Sequence, residues 1–114
     1  VDDNSVNRKV ANLMFKKFGL SIDEVSSGED AIAAMDESQY DLILMDIQMP
    51  RIDGIEATRL IREKLGDRAP KFIAWSANCT DEDVVNYRNA GLDDVLTKPV
   101  NKKAIAEILN RLLG

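Results

Sequence analysis

Two uninterrupted apolar runs stand out along the chain. Residues 42–45 are all apolar and are followed at once by Asp46, and residues 72–75 are followed by Ser76. Hydrophobicity that does not alternate with polar positions predicts strands buried on both faces, as in a parallel sheet covered by helices. The shorter apolar pair Val95-Leu96 predicts a third strand, and residues 22–25 predict a weak fourth one.

Helical periodicity fills the intervals between these runs. Apolar positions three and four residues apart predict five helices, which we place ahead of Gly19, after Ser27 as an N-cap, ahead of Gly66, between Thr80 and Gly91, and through residues 105–112. The face of the first helix that we expect to bury against the sheet comprises Asn7, Val10, Ala11, Met14 and Phe18. Because strand and helix alternate throughout, we predict one α/β domain, residues 1–114, with a doubly wound parallel sheet.

The beginning of the chain departs from this pattern. Val1 stands directly before Asp2-Asp3, with no apolar run ahead of it. A first strand would contribute only its last residue to this sequence, although such a strand is central in a doubly wound sheet. We therefore expect a truncated chain whose first strand is largely missing.

Charge and composition exclude several classes of partner and of catalytic site. The net charge of −5 has the wrong sign for a nucleic-acid backbone, and no apolar run reaches the 18 residues of a membrane span, so we predict no direct contact with either. The single cysteine, Cys79, is expected to be a bystander in a reducing compartment, in a cytoplasmic domain or one tethered to a membrane-bound parent. The absence of histidine excludes a serine triad, a zinc site of the histidine type and a phosphohistidine carrier.

Residues that carry chemistry follow the predicted strand ends. Asp2-Asp3, Asp46, Ser76 and Lys98 all stand where a strand stops, and the carboxyl ends of parallel strands share one edge of a sheet. Two carboxylates about 4 Å apart repel each other by roughly 4 kcal/mol at an effective dielectric of about 20. Lys98 balances one of the charges, and a hard divalent cation with oxygen ligands, such as Mg²⁺, balances the rest. The pattern predicts a cleft suited to a cation and a phosphoryl group.

Four motifs then resemble the response-regulator receiver family of two-component signalling. They are Val1-Asp2-Asp3-Asn4, Met45-Asp46-Ile47-Gln48-Met49-Pro50 with Asp53-Gly54, Ser76-Ala77 and Lys98-Pro99. The key residues Asp3, Asp46, Ser76 and Lys98 are separated by 43, 30 and 22 residues, which is similar to the family spacing, and the resemblance covers essentially the whole chain. Residues 4–11 and 45–50 most resemble the receivers of hybrid histidine kinases. The resemblance implies a flavodoxin-like fold with strand order 2-1-3-4-5.

The resemblance also implies a role for each matched residue. Asp46 is the expected nucleophile, which takes a phosphoryl group from the phosphohistidine of a histidine kinase or a histidine phosphotransfer protein. Lys98 is expected to pair with the phosphoryl oxygens, and the Ser76 hydroxyl to hydrogen-bond the phosphate. The implied magnesium ligands are Asp3 and Asp46 directly, the backbone carbonyl of Gln48, and Asp2 through a metal-bound water. The domain alone is expected to catalyse only its own phosphorylation and dephosphorylation, and the implied parent is a hybrid histidine kinase.

Three details go beyond these roles. Many receivers carry Tyr or Phe three residues before the lysine, whereas this chain has Val95, so we expect a switch by loop or fourth-helix movement rather than by a ring flip. We predict a cis Lys98-Pro99 bond, which lets Lys98 leave its strand and point into the cleft. Val6 and Leu13 are expected to be exposed, either as scattered apolar residues or as a docking point for a helical partner.

Other interpretations stay open on the residues alone. Asp2-Asp3 is compatible with a helix N-cap, and Asp46 and Lys98 with ordinary strand ends, although their order and spacing favour a shared site. A phosphohydrolase of the haloacid dehalogenase class also uses an aspartate nucleophile with Mg²⁺, but it needs a second aspartate where this chain has Gln48. A flavodoxin-like cofactor binder needs a loop rich in Gly, Ser and Thr where Asp2-Asp3 would repel phosphate.

Overall fold

The computed structural model describes residues 1–20, 22–37, 39–49, 51–77, 80–98 and 102–113. The helices are α1 (Ser5–Lys16), α2 (Gly28–Glu37), α3 (Gly54–Leu65), α4 (Asp81–Asn89) and α5 (Lys102–Leu113). The strands are β1 (Leu42–Asp46), β2 (Lys71–Ser76) and β3 (Asp94–Thr97), and a 3₁₀ turn, Gly66–Arg68, follows α3. Within these ranges no helix combines the length and the apolar character that crossing a membrane requires.

The three strands form one parallel sheet in the order β1-β2-β3. Parallel neighbours need crossovers, and α3 connects β1 to β2 while α4 connects β2 to β3. Along β2, Phe72 and Ala74 belong to a core cluster with Ile61 of α3, whereas Ile73 and Trp75 belong to a second cluster with Phe15 of α1. Successive residues of β2 therefore bury on opposite faces, which confirms the prediction of an α/β sheet covered on both sides.

The edge of β1 away from β2 is occupied by the first residues of the chain. The backbone nitrogen of Val1 donates to the carbonyl of Leu44 at 2.7 Å, and the Asp46 N–H donates to the Val1 carbonyl at 2.9 Å. Beyond Val1, the Asp2 N–H donates to the Val25 carbonyl at 3.2 Å. The prediction of a strand at residues 22–25 is nevertheless wrong, because two residues of neighbouring backbone are too few to form a ladder. The three observed strands do not by themselves establish the five-strand order 2-1-3-4-5.

The buried face of α1 differs from the predicted one. Ala11 and Phe15 are buried, whereas Val10 and Phe18, which we expected in the core, are 39% and 38% exposed. The helix ends at Lys16, earlier than predicted, and a turn carries the chain to Gly19 at φ +79°. The buried side is thus rotated by about 60° from the predicted one, because Phe15 packs in the core cluster, whereas Phe18 lies beyond the end of the helix.

The N-terminus of α3 packs directly on the end of β1. A Cβ atom at Gly54 would lie 2.2 Å from the carbonyl oxygen of Asp46, and the Gly54 N–H donates to the carbonyl of Ile47 at 3.1 Å. The buried Thr58 hydroxyl donates to the Gly54 carbonyl at 2.8 Å within the same turn of helix. Glycine is therefore required at this position for its lack of a side chain, since the obstructing atoms belong to the main chain.

We predict that Gly54→Ala destabilises the protein much more than Gly19→Ala. The first substitution forces a Cβ into the backbone of Asp46 and should lower the free energy of unfolding by about 3 kcal/mol. Gly19 has no atom within 4 Å of its ideal Cβ, so alanine there meets only the positive φ and should cost about 1 kcal/mol. Urea denaturation followed by circular dichroism measures both values, and equal losses would contradict the close packing at Gly54.

Candidate functional site

The carboxyl ends of the strands bring three of the predicted residues together. Asp46 is the last residue of β1, Ser76 is the last residue of β2, and Lys98 follows directly after β3. In the sheet register, Asp46 pairs with Trp75 and Ser76 pairs with Thr97. The backbone N–H of Lys98 also donates to the carbonyl of Ser76 at 2.9 Å. The parallel topology therefore gathers at one edge residues that lie far apart along the chain.

Asp2 and Asp3 reach the same edge from the segment before α1. Asn4, not either aspartate, is the N-cap of α1, because its side chain accepts the N–H groups of Val6 at 2.9 Å and Asn7 at 3.3 Å. Asp2 Oδ1 instead accepts the N–H of Asn4 at 2.9 Å. The interpretation of Asp2-Asp3 as a helix cap is therefore wrong, and their carboxylates are available to the cleft.

The three aspartates form one carboxylate cluster. One oxygen each from Asp2, Asp3 and Asp46 lies within 4.8 Å of the others. The Lys98 ammonium is 3.3 Å from Asp2 Oδ2 and 3.3 Å from Asp46 Oδ1. Asp2 and Asp46 are almost wholly buried, at 1% and 3% exposure, while Asp3 is exposed. Two acids are thus kept from water beside a single lysine, and a third faces the solvent.

The surroundings shift the pKa values of Asp2 and Asp46 in opposite directions. Burial first, and then the charge of Asp2, raise the pKa of Asp46 to about 6, against the opposing effects of Lys98 and the Gln48 N–H. Burial also acts to raise the pKa of Asp2, but the Asn4 N–H and the Lys98 charge outweigh it and hold the pKa below its ordinary value. Negative charge at the Asp46 carboxylate is therefore undercompensated by the protein alone.

The cluster fits a hard divalent cation. Asp2 Oδ2 is buried and accepts no hydrogen bond from the described part of the chain, although it faces the Lys98 ammonium. Three carboxylates in one cleft are the oxygen ligands that Mg²⁺ selects, and the ion keeps several waters in addition. The Gln48 N–H donates to Asp46 Oδ1 at 3.2 Å, so the Gln48 backbone lies beside the cluster. Its carbonyl as a ligand stays a prediction.

Two contacts at the site were not anticipated from the sequence. The Lys98 ammonium lies over the indole of Trp75, 4.9 Å from its centroid. The Arg8 guanidinium donates to the backbone carbonyl of Asp2 at 2.7 Å, which ties α1 to the segment that carries two of the aspartates. Trp75 itself is 2% exposed and packs in the core beside the site. A large aromatic residue directly before Ser76 was the available signal.

Of the remaining predicted residues in this region, some lie in the described part of the chain and some do not. Ser76 is buried at the end of β2, and Val95 is half-buried in β3 opposite Ala74. Pro50, Cys79 and Pro99 lie outside the described residues, so the cis Lys98-Pro99 bond stays a prediction. The roles of the Ser76 hydroxyl and of Val95 in switching also stay predictions.

Comparison with known proteins shows similarity over nearly the whole chain. Residues 1–110 match the response regulator receiver domain family. Hybrid signal transduction histidine kinase L of Dictyostelium discoideum is 39% identical over 121 residues, which cover 97% of this chain and 7% of that protein. Transcription factor SKN7 of Saccharomyces cerevisiae is 34% identical over 113 residues, 99% of this chain and 18% of that protein. The chain thus spans less than a fifth of either relative.

Solved structures agree with this assignment. The receiver domain of sensor histidine kinase PA1611 from Pseudomonas aeruginosa PAO1, with magnesium coordinated in its active-site cleft, superposes with a TM-score of 0.87 at 37% identity, covering 98% of this chain and 92% of that one. The receiver domain of Saccharomyces cerevisiae Ssk1, in complex with the histidine phosphotransfer protein Ypd1, gives a TM-score of 0.88 at 26% identity, with coverage of 97% and 83%. The family match, the identities and the flavodoxin-like α/β fold agree, and the chain belongs to the response regulator receiver domain family of two-component phosphorelays.

Proposed function

We propose that this receiver domain takes a phosphoryl group from a phosphohistidine onto the carboxylate of Asp46, in a reaction that depends on Mg²⁺. The observation that carries the proposal is the position of Asp46 at the end of β1, with its Oδ1 atom 3.3 Å from the Lys98 ammonium and within the three-carboxylate cluster. Phosphoryl transfer depends on positioning and on neutralising charge more than on proton shuttling, and this cleft provides groups for both.

Each residue of the site has a part in the transfer. A carboxylate oxygen of Asp46 attacks phosphorus, and an O–P bond forms as the N–P bond to the donor imidazole breaks, which yields an acyl phosphate. Lys98 pairs with a phosphoryl oxygen, and it needs little movement because its ammonium already contacts Asp46. The Ser76 hydroxyl, at the end of the adjacent strand, hydrogen-bonds another phosphoryl oxygen.

The residues of the cluster also suit the cation. Asp3 and Asp46 would hold Mg²⁺ directly with the backbone carbonyl of Gln48, and Asp2 would act through a bound water. When bound, the ion neutralises the negative charge that the carboxylates and the phosphoryl oxygens accumulate. Magnesium coordinated in the cleft of the PA1611 receiver supports this assignment by analogy.

Hydrolase chemistry of the haloacid dehalogenase class has less support. Its general acid would occupy position 48, where this chain carries the exposed amide of Gln48, which cannot donate a proton as a carboxylic acid does. We therefore propose that the domain is a signalling module whose own turnover is limited to gaining and losing one phosphoryl group. Its parent, by analogy with the hybrid histidine kinase of Dictyostelium discoideum to which it is similar, would be a hybrid histidine kinase.

An exposed apolar stripe on α1 supports a helical phosphodonor. Val6, Val10 and Leu13 are 66%, 39% and 65% exposed, and their spacing puts them on one side of the helix that begins beside the cluster. A donor must bring its imidazole in line with Asp46, so it must cover the rim to which α1 belongs. The Ssk1 receiver is known in complex with the histidine phosphotransfer protein Ypd1, and we propose a partner of that class, or a histidine kinase, for this chain.

The phosphoacceptor assignment predicts that Asp46→Asn abolishes labelling. Incubation with acetyl phosphate and Mg²⁺ should add one acid-stable, base-labile phosphoryl group to the native protein, detected by intact mass spectrometry. An amide is not a nucleophile, so Asp46→Asn should take up none. Asp41→Asn, an exposed change just before the opposite end of β1, should label like the native protein. Persistent labelling of Asp46→Asn would assign the phosphoryl group to another residue.

The cation assignment predicts a specific loss of affinity in Asp3→Ala. Trp75 is the only tryptophan, and its ring contacts Lys98, so Mg²⁺ binding among the carboxylates should change its fluorescence. Removing the Asp3 carboxylate should raise the Kd for Mg²⁺ at least about tenfold, equivalent to about 1.4 kcal/mol. Asp67→Ala, an exposed change of equal charge in the 3₁₀ turn after α3, should leave the Kd unchanged. Equal titrations for all three proteins would move the cation elsewhere.

The docking assignment predicts that Leu13→Glu slows phosphoryl transfer from a protein donor but not from acetyl phosphate. Labelling by acetyl phosphate should survive, because the cleft is intact, while transfer from the cognate histidine protein should slow about tenfold through lost docking. Val85→Glu, at a 56% exposed apolar position on α4, is the matched control and should leave both reactions unchanged. Loss with both donors would indicate damaged folding, and no loss with either would put the partner on another face.

A further inference from the structure

We propose that Trp75 is a positioning residue for the phosphoryl transfer, whose indole face holds the Lys98 ammonium over the carboxylate cluster. The inference rests on the proposed function, because it assigns to Trp75 an effect that acts through Lys98. It goes beyond that function because it concerns a residue outside the motifs that define the phosphoacceptor site.

The position of Trp75 in the sheet is suited to this role. Trp75 pairs with Asp46 of β1 on one side and with Leu96 of β3 on the other. It therefore lies between the phosphoacceptor and the strand that leads to Lys98. Its side chain is 2% exposed and packs in the core cluster with Phe15 of α1 and Ile105 of α5, so the ring is held by two helices.

Among the residues that the structure describes, the Lys98 ammonium has three neighbours of two kinds. Two are carboxylate oxygens, Asp2 Oδ2 and Asp46 Oδ1, each at 3.3 Å, and the third is the Trp75 ring at 4.9 Å from its centroid. Tryptophan is the aromatic side chain that attracts cations most strongly, and the attraction grows where water is excluded. Lysine is a point charge on a flexible four-carbon stem, so two carboxylates alone would not fix its direction.

The three neighbours also differ in how they change during the reaction. Phosphorylation converts the Asp46 carboxylate into an acyl phosphate, so the negative charge beside Lys98 moves to the phosphoryl oxygens, and a bound cation competes for the remaining carboxylates. The indole is uncharged throughout, so its attraction for the ammonium persists when the carboxylate contacts weaken. Trp75 therefore keeps Lys98 at the cleft during the step in which the phosphoryl oxygens need a positive partner.

The buried N–H of the Trp75 indole is a second observation that bears on its role. Trp75 Nε1 is buried and has no hydrogen-bond partner among the residues that the structure describes. A buried N–H without a partner is unfavourable, and a leucine would fill an apolar core position without that disadvantage. The contact between the ring face and Lys98 offers a compensating gain that an aliphatic side chain cannot supply.

The test compares substitutions at Trp75 with a matched core substitution. Rate constants for labelling by acetyl phosphate at saturating Mg²⁺ are measured by intact mass spectrometry for Trp75→Leu, Trp75→Phe and Phe72→Leu. Phe72 is a fully buried aromatic residue of the same strand, but it contacts Arg62 and belongs to the other core cluster. Urea denaturation gives the folded fraction of each variant, so that rates refer to folded protein.

We expect Trp75→Leu to slow labelling about tenfold, Trp75→Phe to slow it about threefold, and Phe72→Leu to leave the rate of the folded protein unchanged. In a Lys98→Ala background, Trp75→Leu should have no further effect, because the indole then has no ammonium to hold. A native rate in Trp75→Leu, or an equal slowing with and without Lys98, would overturn the proposal. Failure of the native protein to label would instead reject the proposed function itself.

A spectroscopic readout keeps the proposal testable if Trp75→Leu folds poorly. The ε-methylene protons of Lys98 should show an upfield ring-current shift in the native protein, and this shift should be smaller but present in Trp75→Phe. The Phe72→Leu protein should retain the full shift, since its indole is intact. Lys98 resonances at the ordinary position of a solvated lysine in the native protein would overturn the contact, whatever the labelling rates.

Discussion

The Lys98 ammonium lies 3.3 Å from a carboxylate oxygen of Asp2 and 3.3 Å from one of Asp46, and this contact allows two buried acids to share one edge of the sheet. The carboxylate oxygens of Asp2 and Asp46 lie within 4.8 Å of each other. At an effective dielectric near 20, two carboxylates about 4–5 Å apart repel by roughly 3–4 kcal/mol, a substantial part of the stability of a small domain. Burial is the main cause of the raised pKa of Asp46, and this repulsion adds to it. The excess negative charge of this site favours the binding of a cation, and a bound cation can in turn coordinate the oxygens of a further group.

The rest of the fold holds these charges where they would otherwise separate. The parallel register fixes Asp46 beside Trp75, and the hydrogen bond from the backbone N–H of Lys98 to the carbonyl of Ser76 fixes the main chain of Lys98 directly after β3. On the other side, Asn4 caps α1 and donates its N–H to Asp2, so the helix and the acidic segment share one residue. The functional cluster is therefore held mainly by backbone contacts, and its side chains are left to interact with each other.

The sequence predicted the parts of this structure that depend on local pattern. Continuous apolar runs located β1 and β2. The helix predicted to begin at Thr80 is α4, which opens there with a capping box formed by Thr80 and Asp83. It failed where the outcome depends on tertiary contacts. The buried side of α1 is set by Phe15 against β2 and α5, which periodicity alone did not identify, and residues 22–25 lack the neighbouring backbone that a strand needs. The chemical residues of the cluster were found because their order and spacing are informative, but the contact between Lys98 and Trp75 required the register of β2 and β3.

The close approach of Gly54 to the carbonyl of Asp46 has a mechanical consequence. Because the first turn of α3 rests on the main chain of Asp46 with no side chain between them, the end of β1 and the start of α3 behave as one stiff body. A new group on the Asp46 carboxylate cannot be accommodated by pushing that backbone toward α3, so the displacement has to be taken up by side chains and by the connections on the opposite flank of the cleft. Under the proposed phosphorylation of Asp46, this stiff side of the domain would be the fixed frame for the movement that follows, and Val95 would supply no ring to take part in it.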